Sequence, residues 1–491
     1  TICYGAPADP IRVSTSPSGG DGSYTYKWQY KTTGNWIDIP SATTTTYNPG
    51  ILTETTAYRL VVTNTCSTAI TNEVLITVRP ELTAPIVSDY HETICYGSAP
   101  SQLTVQTLAT GGSDDTFLYQ WQESTNGTTY NDIPGATGVA YQPSAITSAR
   151  WYRVVATSQL GCGSIESSNA TKVSVYPKLQ ISTTGSSPLC YMTPGKISVS
   201  ATGAGDVFTY QWQESSDGIS FSTINNATTN VYTTAAKPAG MYYYRCIVNP
   251  TNACAPDTSD VISVQVYAEL NAGTIVGTDT ICFGYAASPI QIASHPSGGD
   301  GTYTYRWMQR PEGTTTYTYI TGTESTTPQS YSPGVLYKTT EYQLEITNAC
   351  GVVYTNSVRI FVRDQLVAPI ITCVSDTICY QTMPEIVEMT SAATGGVDDS
   401  FTYQWEESVD GRSFAPIAGE TAKTYQPGVL STKHYYRLSA TSVQGCGVIY
   451  SNIIEINVFD DMLISISPSQ NLCYMDVAHM SVSVVGGGNE Y

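Results

Sequence analysis

The sequence is poor in charge, in histidine and in basic residues. Only 12% of its 491 residues are Asp, Glu, Lys or Arg, about half the share usual in soluble domains. Lys and Arg number 21 against 40 acidic residues, a formal net charge of −19. The basic residues form no cluster, which argues against binding a phosphate backbone and so against a nucleic-acid partner. No run approaches the roughly 18 apolar residues a membrane helix needs, so no membrane span is expected. The four histidines (His91, His295, His434, His479) are scattered, and no two of the 13 cysteines are separated by two residues. Zinc-type spacings and a histidine-partnered nucleophilic cysteine are therefore both missing. No ten-residue stretch carries a helical apolar stripe. Acidic residues are few in any one region and mostly lie in turns, so no catalytic carboxylate pair and no cofactor is expected. The chain reads as a non-enzyme.

What is present is apolar and aromatic. Hydrophobic residues make up 41% of the chain, and 37 tyrosines stand against 7 Trp and 8 Phe, ample for folded cores. The cysteines follow a long–short rhythm. Cys3 to Cys66 spans 63 positions, Cys95 to Cys162 spans 67, Cys190 to Cys254 spans 64, Cys282 to Cys350 spans 68 and Cys379 to Cys446 spans 67. The near-constant separation predicts five equivalent disulfides, Cys3–Cys66, Cys95–Cys162, Cys190–Cys254, Cys282–Cys350 and Cys379–Cys446. Such bonds persist in oxidising compartments, so an exported protein is expected; buried free thiols are the competing reading. Cys246 occupies a slot filled elsewhere by Leu60, Val154, Leu344 and Leu438. It reads as a buried thiol, with a bond to Cys190 in place of Cys254 as the alternative. Cys373 is either free or linked to another chain.

A repeat of about 94 residues underlies the rhythm. The first cysteine of each unit lies at 3, 95, 190, 282, 379 and 473, and a tryptophan follows the first five by 22–26 residues: Trp28, Trp121, Trp212, Trp307, Trp405. Tyr-Thr-Tyr-Lys-Trp (24–28) and Phe-Thr-Tyr-Gln-Trp (401–405) show the period-two alternation of a half-buried strand. Glycine turns such as Gly-Gly-Asp-Gly (19–22 and 298–301) precede it and permit positive φ. A Tyr-Arg/Gln-apolar strand comes later, at Tyr58, Tyr152, Tyr244, Tyr342 and Tyr436. Seven or so short strands with a central Trp and a late Tyr predict an immunoglobulin-like sandwich. The expected fold is thus all-β: a tandem array forming an extended rod, with one disulfide per domain stapling one end of each sandwich. The units are 1–80 (first strand missing), 81–177, 178–267, 268–363, 364–459 and the start of a sixth at 460–491. Unit one matches unit four, two matches five, and three matches six, so a triplet was duplicated. Neither end reads as a domain boundary, and Cys473 is expected to pair beyond the window.

On the Gly-Gly-x-Gly-x-Tyr-x-Tyr-x-Trp stretches (19–28 and 298–307) the chain resembles the Ig-like/PKD-like repeats of Bacteroidota surface proteins. It is most similar to the repeats of the giant gliding-motility adhesins typified by SprB. The resemblance implies type IX secretion and a stalk segment of a long cell-surface filament used in surface attachment and gliding. It implies neighbouring repeats, motility machinery and accessory surface proteins as partners, and outer-membrane attachment through regions outside this segment. It also implies O-glycosylation at Thr280 and Thr377, in Asp-Thr-Ile triplets whose alternative reading is a plain strand-entry turn. Spacer of a secreted carbohydrate-active enzyme and protein-binding surface module are the alternative functions. Asp114, Asp115, Asp398 and Asp399, with Asp21 and Asp300, are candidate calcium ligands or plain turn formers. Trp36 and Trp151, outside the repeated position, either stack on sugars or cover strand edges.

Overall fold

The computed structural model describes residues 1–488, and no helix occurs among them. They form two compact units: Thr1–Ser187 with Gly195–Thr234 and Met241–Val264, and Pro188–Pro194 with Ala235–Gly240 and the chain from Gln265 onward. Each unit is built from the same sandwich.

The second repeat shows the plan in the first unit. One sheet pairs Ile86–Val87 with Leu103–Thr107 and that with Ala140–Tyr141. The other runs in the order Glu92–Ile94, Thr171–Val175, Arg150–Ser158, Phe117–Ser124, Asn131–Asp132, with Ser164–Glu166 also paired to Arg150–Ser158. Glu92–Ile94 is parallel to the closing strand Thr171–Val175 and every other pairing is antiparallel. This strand order is that of an immunoglobulin-like sandwich. The fifth repeat repeats it in the second unit: Thr377–Ile378, Ile454–Val458, His434–Ser442, Phe401–Ser408, Ala415–Pro416.

Alternation places the aromatic residues inside. Trp121, opposite Val154 in register, and Trp405, opposite Leu438, are 0% exposed. A trio of rings recurs in every repeat: Trp28, Tyr47 and Tyr58; Trp121, Tyr141 and Tyr152; Trp212, Tyr232 and Tyr244; Trp307, Tyr331 and Tyr342; Trp405, Tyr425 and Tyr436, with neighbouring centroids 5.5–6.3 Å apart. Each indole N–H has a backbone acceptor, such as Gly138 O at 2.9 Å from Trp121 and Ala422 O at 2.9 Å from Trp405, which removes the penalty of a buried unpaired donor.

On the outer side of the same strands, Arg59, Arg153, Arg245 and Arg437 lie 4.1–4.2 Å from the ring centres of Trp36, Tyr130, Phe221 and Phe414. Each donates Nε at 2.7 Å to the residue after the core Trp: Gln29, Gln122, Gln213 and Glu406. In the fourth repeat both halves change together, to Met308 opposite Gln343.

Candidate functional site: the joint between repeats

The cysteines pair across repeats. The bonds are Cys3–Cys162, Cys95–Cys254, Cys190–Cys350 and Cys282–Cys446, with Cα atoms 5.3–5.5 Å apart. Cys66 and Cys379 are free and exposed. The expected intra-repeat pairs Cys3–Cys66, Cys95–Cys162, Cys190–Cys254, Cys282–Cys350 and Cys379–Cys446 are therefore corrected, and so is the staple confined to one sandwich.

The reason lies in strand direction. The residue before each first cysteine bridges, in parallel, to the last apolar residue of the closing strand: Ile2 to Val78, Ile94 to Val175, Leu189 to Val266, Ile281 to Val362, Ile378 to Val458. The first cysteine thus sits at the pole where the chain leaves its repeat. The second lies in the turn after the Tyr-Arg strand, at the opposite pole. Gln159 N donates to Thr116 O there, and nearby Gly112 N donates to Pro80 O of the incoming connector. Two cysteines at opposite poles of one sandwich cannot bond. The first cysteine of one repeat instead meets the second cysteine of the next.

Local chemistry prepares both halves. Each first cysteine opens a tight turn, its carbonyl accepting the N–H three residues on at 3.0–3.2 Å, in Cys3, Cys95, Cys190, Cys282, Cys379 and Cys473 alike. The residue two after it has positive φ: Gly5, Gly97 and Gly284, but Met192, Gln381 and Met475 in the other three. The second cysteine is held either by an asparagine two residues earlier or by an arginine from the connector. Asn64, Asn252 and Asn348 accept the N–H of Cys66, Cys254 and Cys350 at 3.0, 3.3 and 2.8 Å. Arg79 donates to Leu160 O at 2.7 Å and Arg363 to Gln444 O at 2.6 Å, their Nη1 atoms 3.8 Å from Cys162 Sγ and 3.6 Å from Cys446 Sγ.

The repeated glycine pair belongs to this joint as well. A Cβ on Gly111, Gly203, Gly298, Gly395 or Gly486 would stand 1.9–2.4 Å from the backbone oxygen of Glu81, Lys178, Glu269, Gln365 or Asp461, each in the segment that enters the repeat. The sequence explains these glycines by positive φ alone; the structure adds a backbone clasp. Gly298→Ala is expected to cost about 2 kcal/mol or more, since αL strain alone is about 1–2 kcal/mol for an L-residue. Gly301→Ala, with positive φ but nothing within 4 Å, should show only the strain. Hydrogen exchange of Thr274–Val276 measures the difference, and equal effects would refute the clasp.

The remaining candidate residues take ordinary places. Asp115 and Asp399 cap their own turns, accepting the N–H of Gly111 at 2.7 Å and of Gly395 at 2.5 Å, and Asp114 accepts Thr116 N at 3.2 Å. No group of three or more His, Cys, Asp or Glu in ligating range, Asp398 included, occurs among the described residues. Thr280 is exposed on the strand Asp279–Ile281, and Thr377 is half-buried with its hydroxyl 3.1 Å from Asp376 Oδ1. Trp36 lies beneath Arg59 and Lys31, and Lys172 sits over Trp151. Cys373 is half-buried, its thiol 3.2 Å from Ser375 O.

Cys246 is free and fully buried, and burial pushes its thiol up to about 11. The thiolate is the reactive form, so at pH 7.5 a maleimide should label Cys66, Cys379 and Cys473 in the native chain and Cys246 only in denaturant. Native labelling of Cys246 at the rate of Cys66 would contradict its burial.

The chain is a tandem array of immunoglobulin-like repeats joined by disulfides. It belongs to the family described as domain of unknown function DUF8696, whose profile matches residues 1–80, 85–177, 180–268, 271–364 and 370–460. Among curated proteins none matches it. Solved structures similar to it include Sidekick-1 immunoglobulin domains 1–5, at 13% identity, covering 93% of this chain and 96% of that one with a TM-score of 0.24. The three N-terminal domains of the bacteriophage RB49 outer capsid protein Hoc are 12% identical, covering 57% and 98%, with a TM-score of 0.32. Drosophila OTK extracellular domains 3–5 are 11% identical, covering 54% and 92%, with a TM-score of 0.21. Scores this low carry no argument, and the fold assignment stands on the strand order. No helix among the described residues is long and apolar enough to cross a membrane.

Proposed function

We propose that this chain is a stalk segment of a long cell-surface adhesin filament used in surface attachment and gliding motility. The observation that carries the reading is the set of disulfides binding each repeat to the next. Bonds of this kind persist outside the reducing cytosol, and linking consecutive repeats serves a tether under tension. A surface with few charges and many Thr, Ser and Tyr presents mainly hydrogen-bonding groups. Export by a type IX system, a Bacteroidota source and attachment to the outer membrane through other regions belong to the same reading, as do motility machinery and accessory surface proteins as partners. Placement of the unit boundaries at 80/81, 177/178, 267/268, 363/364 and 459/460 and O-glycosylation of Thr280 and Thr377 are parts of it too.

The test is made in the source organism. Antibody against residues 1–488 should decorate intact cells, and deleting the array should shorten the surface filament and abolish attachment and gliding on glass. Antigen confined to the cell interior, or unchanged attachment and gliding after deletion, would overturn the reading.

A further inference from the structure

The fourth repeat departs from the other four between its core Trp and the Tyr that packs on it. Trp307 and Tyr331 stand 24 positions apart, against 19–20 for Trp28–Tyr47, Trp121–Tyr141, Trp212–Tyr232 and Trp405–Tyr425. In the four shorter repeats the backbone N–H of the Trp donates to a backbone carbonyl, of Ala42, Ala136, Ala227 or Glu420. In the fourth, Trp307 N donates to the hydroxyl of Thr323 at 3.1 Å. The extra residues then run beside the strand Thr304–Pro311. Tyr305 N donates to Ser325 O at 2.8 Å and Ser325 N to Tyr305 O at 3.1 Å. Ordered surface chain added to one member of a regular series is a place where function concentrates.

The residue before the Trp changes too. Gln120, Gln211 and Gln404 donate their side-chain amides to Ile133 O, Ile224 O and Ile417 O at 2.6–2.8 Å, pinning the Trp strand to the turn beside it. Arg306 stands there in the fourth repeat. Its guanidinium carbon lies 3.8 Å from the ring centre of Tyr319, and its Nη2 lies 3.0 Å from Glu324 of the added segment. Its Nε is buried with no hydrogen-bond partner among the described residues, so the sandwich alone does not satisfy this side chain. Opposite Arg306 in register is Glu345, where the other repeats have Val61, Val155, Ile247 and Ser439. Glu345 is 9% exposed and accepts the hydroxyl of Tyr319 at 2.9 Å. Burying a carboxylate costs free energy that an apolar residue does not, and four sister repeats form the same sandwich without one here.

Between the sheet face and the added segment lies an open trough of about 630 Å³, lined by Thr304, Arg306, Glu324, Thr326, Glu345 and Thr347. Past Thr304, Thr326 and Thr347 it continues into a second hollow of about 590 Å³ that reaches Thr302, Tyr303 and Ala349. Extended chain from Thr302 to Arg306 covers about 13 Å, at about 3.3 Å per residue. Two carboxylates against one guanidinium disfavour a phosphate, sulfate or carboxylate ligand. A divalent cation needs several converging oxygens, and no group of three or more His, Cys, Asp or Glu in ligating range occurs among the described residues. What the lining offers is a guanidinium donor, carboxylate acceptors and threonine hydroxyls that do both. Threonine methyls, Ala349 and the ring of Tyr303 supply apolar surface between them. A chain of neutral sugar rings is the complement, with hydroxyls at its edges and C–H faces between.

We propose that the trough of the fourth repeat binds a short neutral oligosaccharide. Arg306 donates to its oxygens, Glu324 and Glu345 accept its hydroxyl protons, and the Thr304–Thr347 pair forms the floor beneath a ring. The added segment, residues 323–327, is the wall that the other repeats lack.

The site is additional to the stalk reading. Its test uses the purified full chain, so its outcome is independent of where the protein resides or what it does on a cell. The chain is applied to immobilised oligosaccharides of three kinds: neutral hexose and N-acetylhexosamine oligomers, uronic-acid oligomers and sulfated oligomers. Neutral oligomers should be captured, and calorimetric titration with the best of them should give one site per chain. Hydrogen exchange at residues 323–327 should slow on binding, while that of Phe401–Ser408 stays unchanged. Arg306→Gln, which restores the residue of three other repeats, and Glu324→Ala, at an exposed side chain, should each weaken binding about tenfold or more, the order expected for losing a hydrogen bond to a charged group. Lys27→Gln, the equivalent change in the first repeat, should leave it unchanged. Exchange of Thr340–Asn348 in the two variants confirms that the repeat still folds. Capture of no neutral oligomer, capture of acidic oligomers alone, protection outside the fourth repeat, or undiminished binding by both folded variants overturns the proposal. Binding of a lysine-rich peptide in the trough, with no neutral oligomer bound, overturns it in favour of a basic protein partner.

Discussion

Stretched between Thr1 and Gly351 without reductant, the chain should reach a limiting length of about 110 Å, against about 1,200 Å once the disulfides are reduced. The shortest covalent path runs through Cys3–Cys162, then 28 residues to Cys190, then through Cys190–Cys350. At about 3.3–3.6 Å per extended residue, those 28 residues, with Cα–Cα spans of 5.4 and 5.3 Å across the two bridges, set the limit. Intra-repeat bonds would leave connectors of 29, 28 and 28 residues in series, about 290 Å. Single-molecule force spectroscopy between handles at these two positions separates the three cases. A limit near 290 Å would restore the intra-repeat pairing, and one near 1,200 Å before reduction would remove the cross-links altogether. Cys95–Cys254 and Cys282–Cys446 make a second path of the same kind, offset by one repeat, with 28 residues between Cys254 and Cys282.

Trp405→Ala should destabilise the fifth repeat by about 3–5 kcal/mol, the range for removing a buried Trp. Its ring is 0% exposed and packs on Tyr425 at 5.7 Å, and its N–H donates to Ala422 O. Because tandem repeats do not unfold as one two-state unit, hydrogen exchange of Phe401–Ser408 and His434–Ser442 is the appropriate measure. Opening there should rise about a hundred- to several-thousand-fold, with 1.4 kcal/mol per tenfold. Trp36→Ala should cost only about 0.5–2 kcal/mol, since half-buried Trp36 contributes a face to Arg59 and Lys31 and no core volume. Similar losses at both positions would mean that the repeated Trp is not the centre of its core.

The sandwich was legible because its signals are local. Alternation around Trp121 or Trp405 gives a strand, and a Tyr at fixed distance gives the strand opposite. Cysteine pairing was not legible from spacing. Within-repeat separations of 63–68 and between-repeat separations of 159–164 are equally regular. What decides is direction: a strand parallel to the closing one carries Cys95 away from the turn that holds Cys162. Asn169, Asn356 and Asn452, which accept the N–H of Val87, Ile275 and Ile371 in the first strand of their repeats, were not legible either, because they stand in polar turns and their partners lie 81–82 residues earlier. Their recurrence just after a Ser or Thr of the late turn was the trace available. Arg79 and Arg363 likewise recur at the ends of closing strands, yet nothing in one dimension shows that they reach Leu160 and Gln444 of the following repeat.

Pairing each first cysteine with the second cysteine of the following repeat also sets a schedule. A repeat can finish folding while its own first thiol still waits for a partner 159–164 residues later in the chain. A growing array would therefore always carry reactive thiols just behind its newest repeat, and its covalent closure would advance in the order the chain was made.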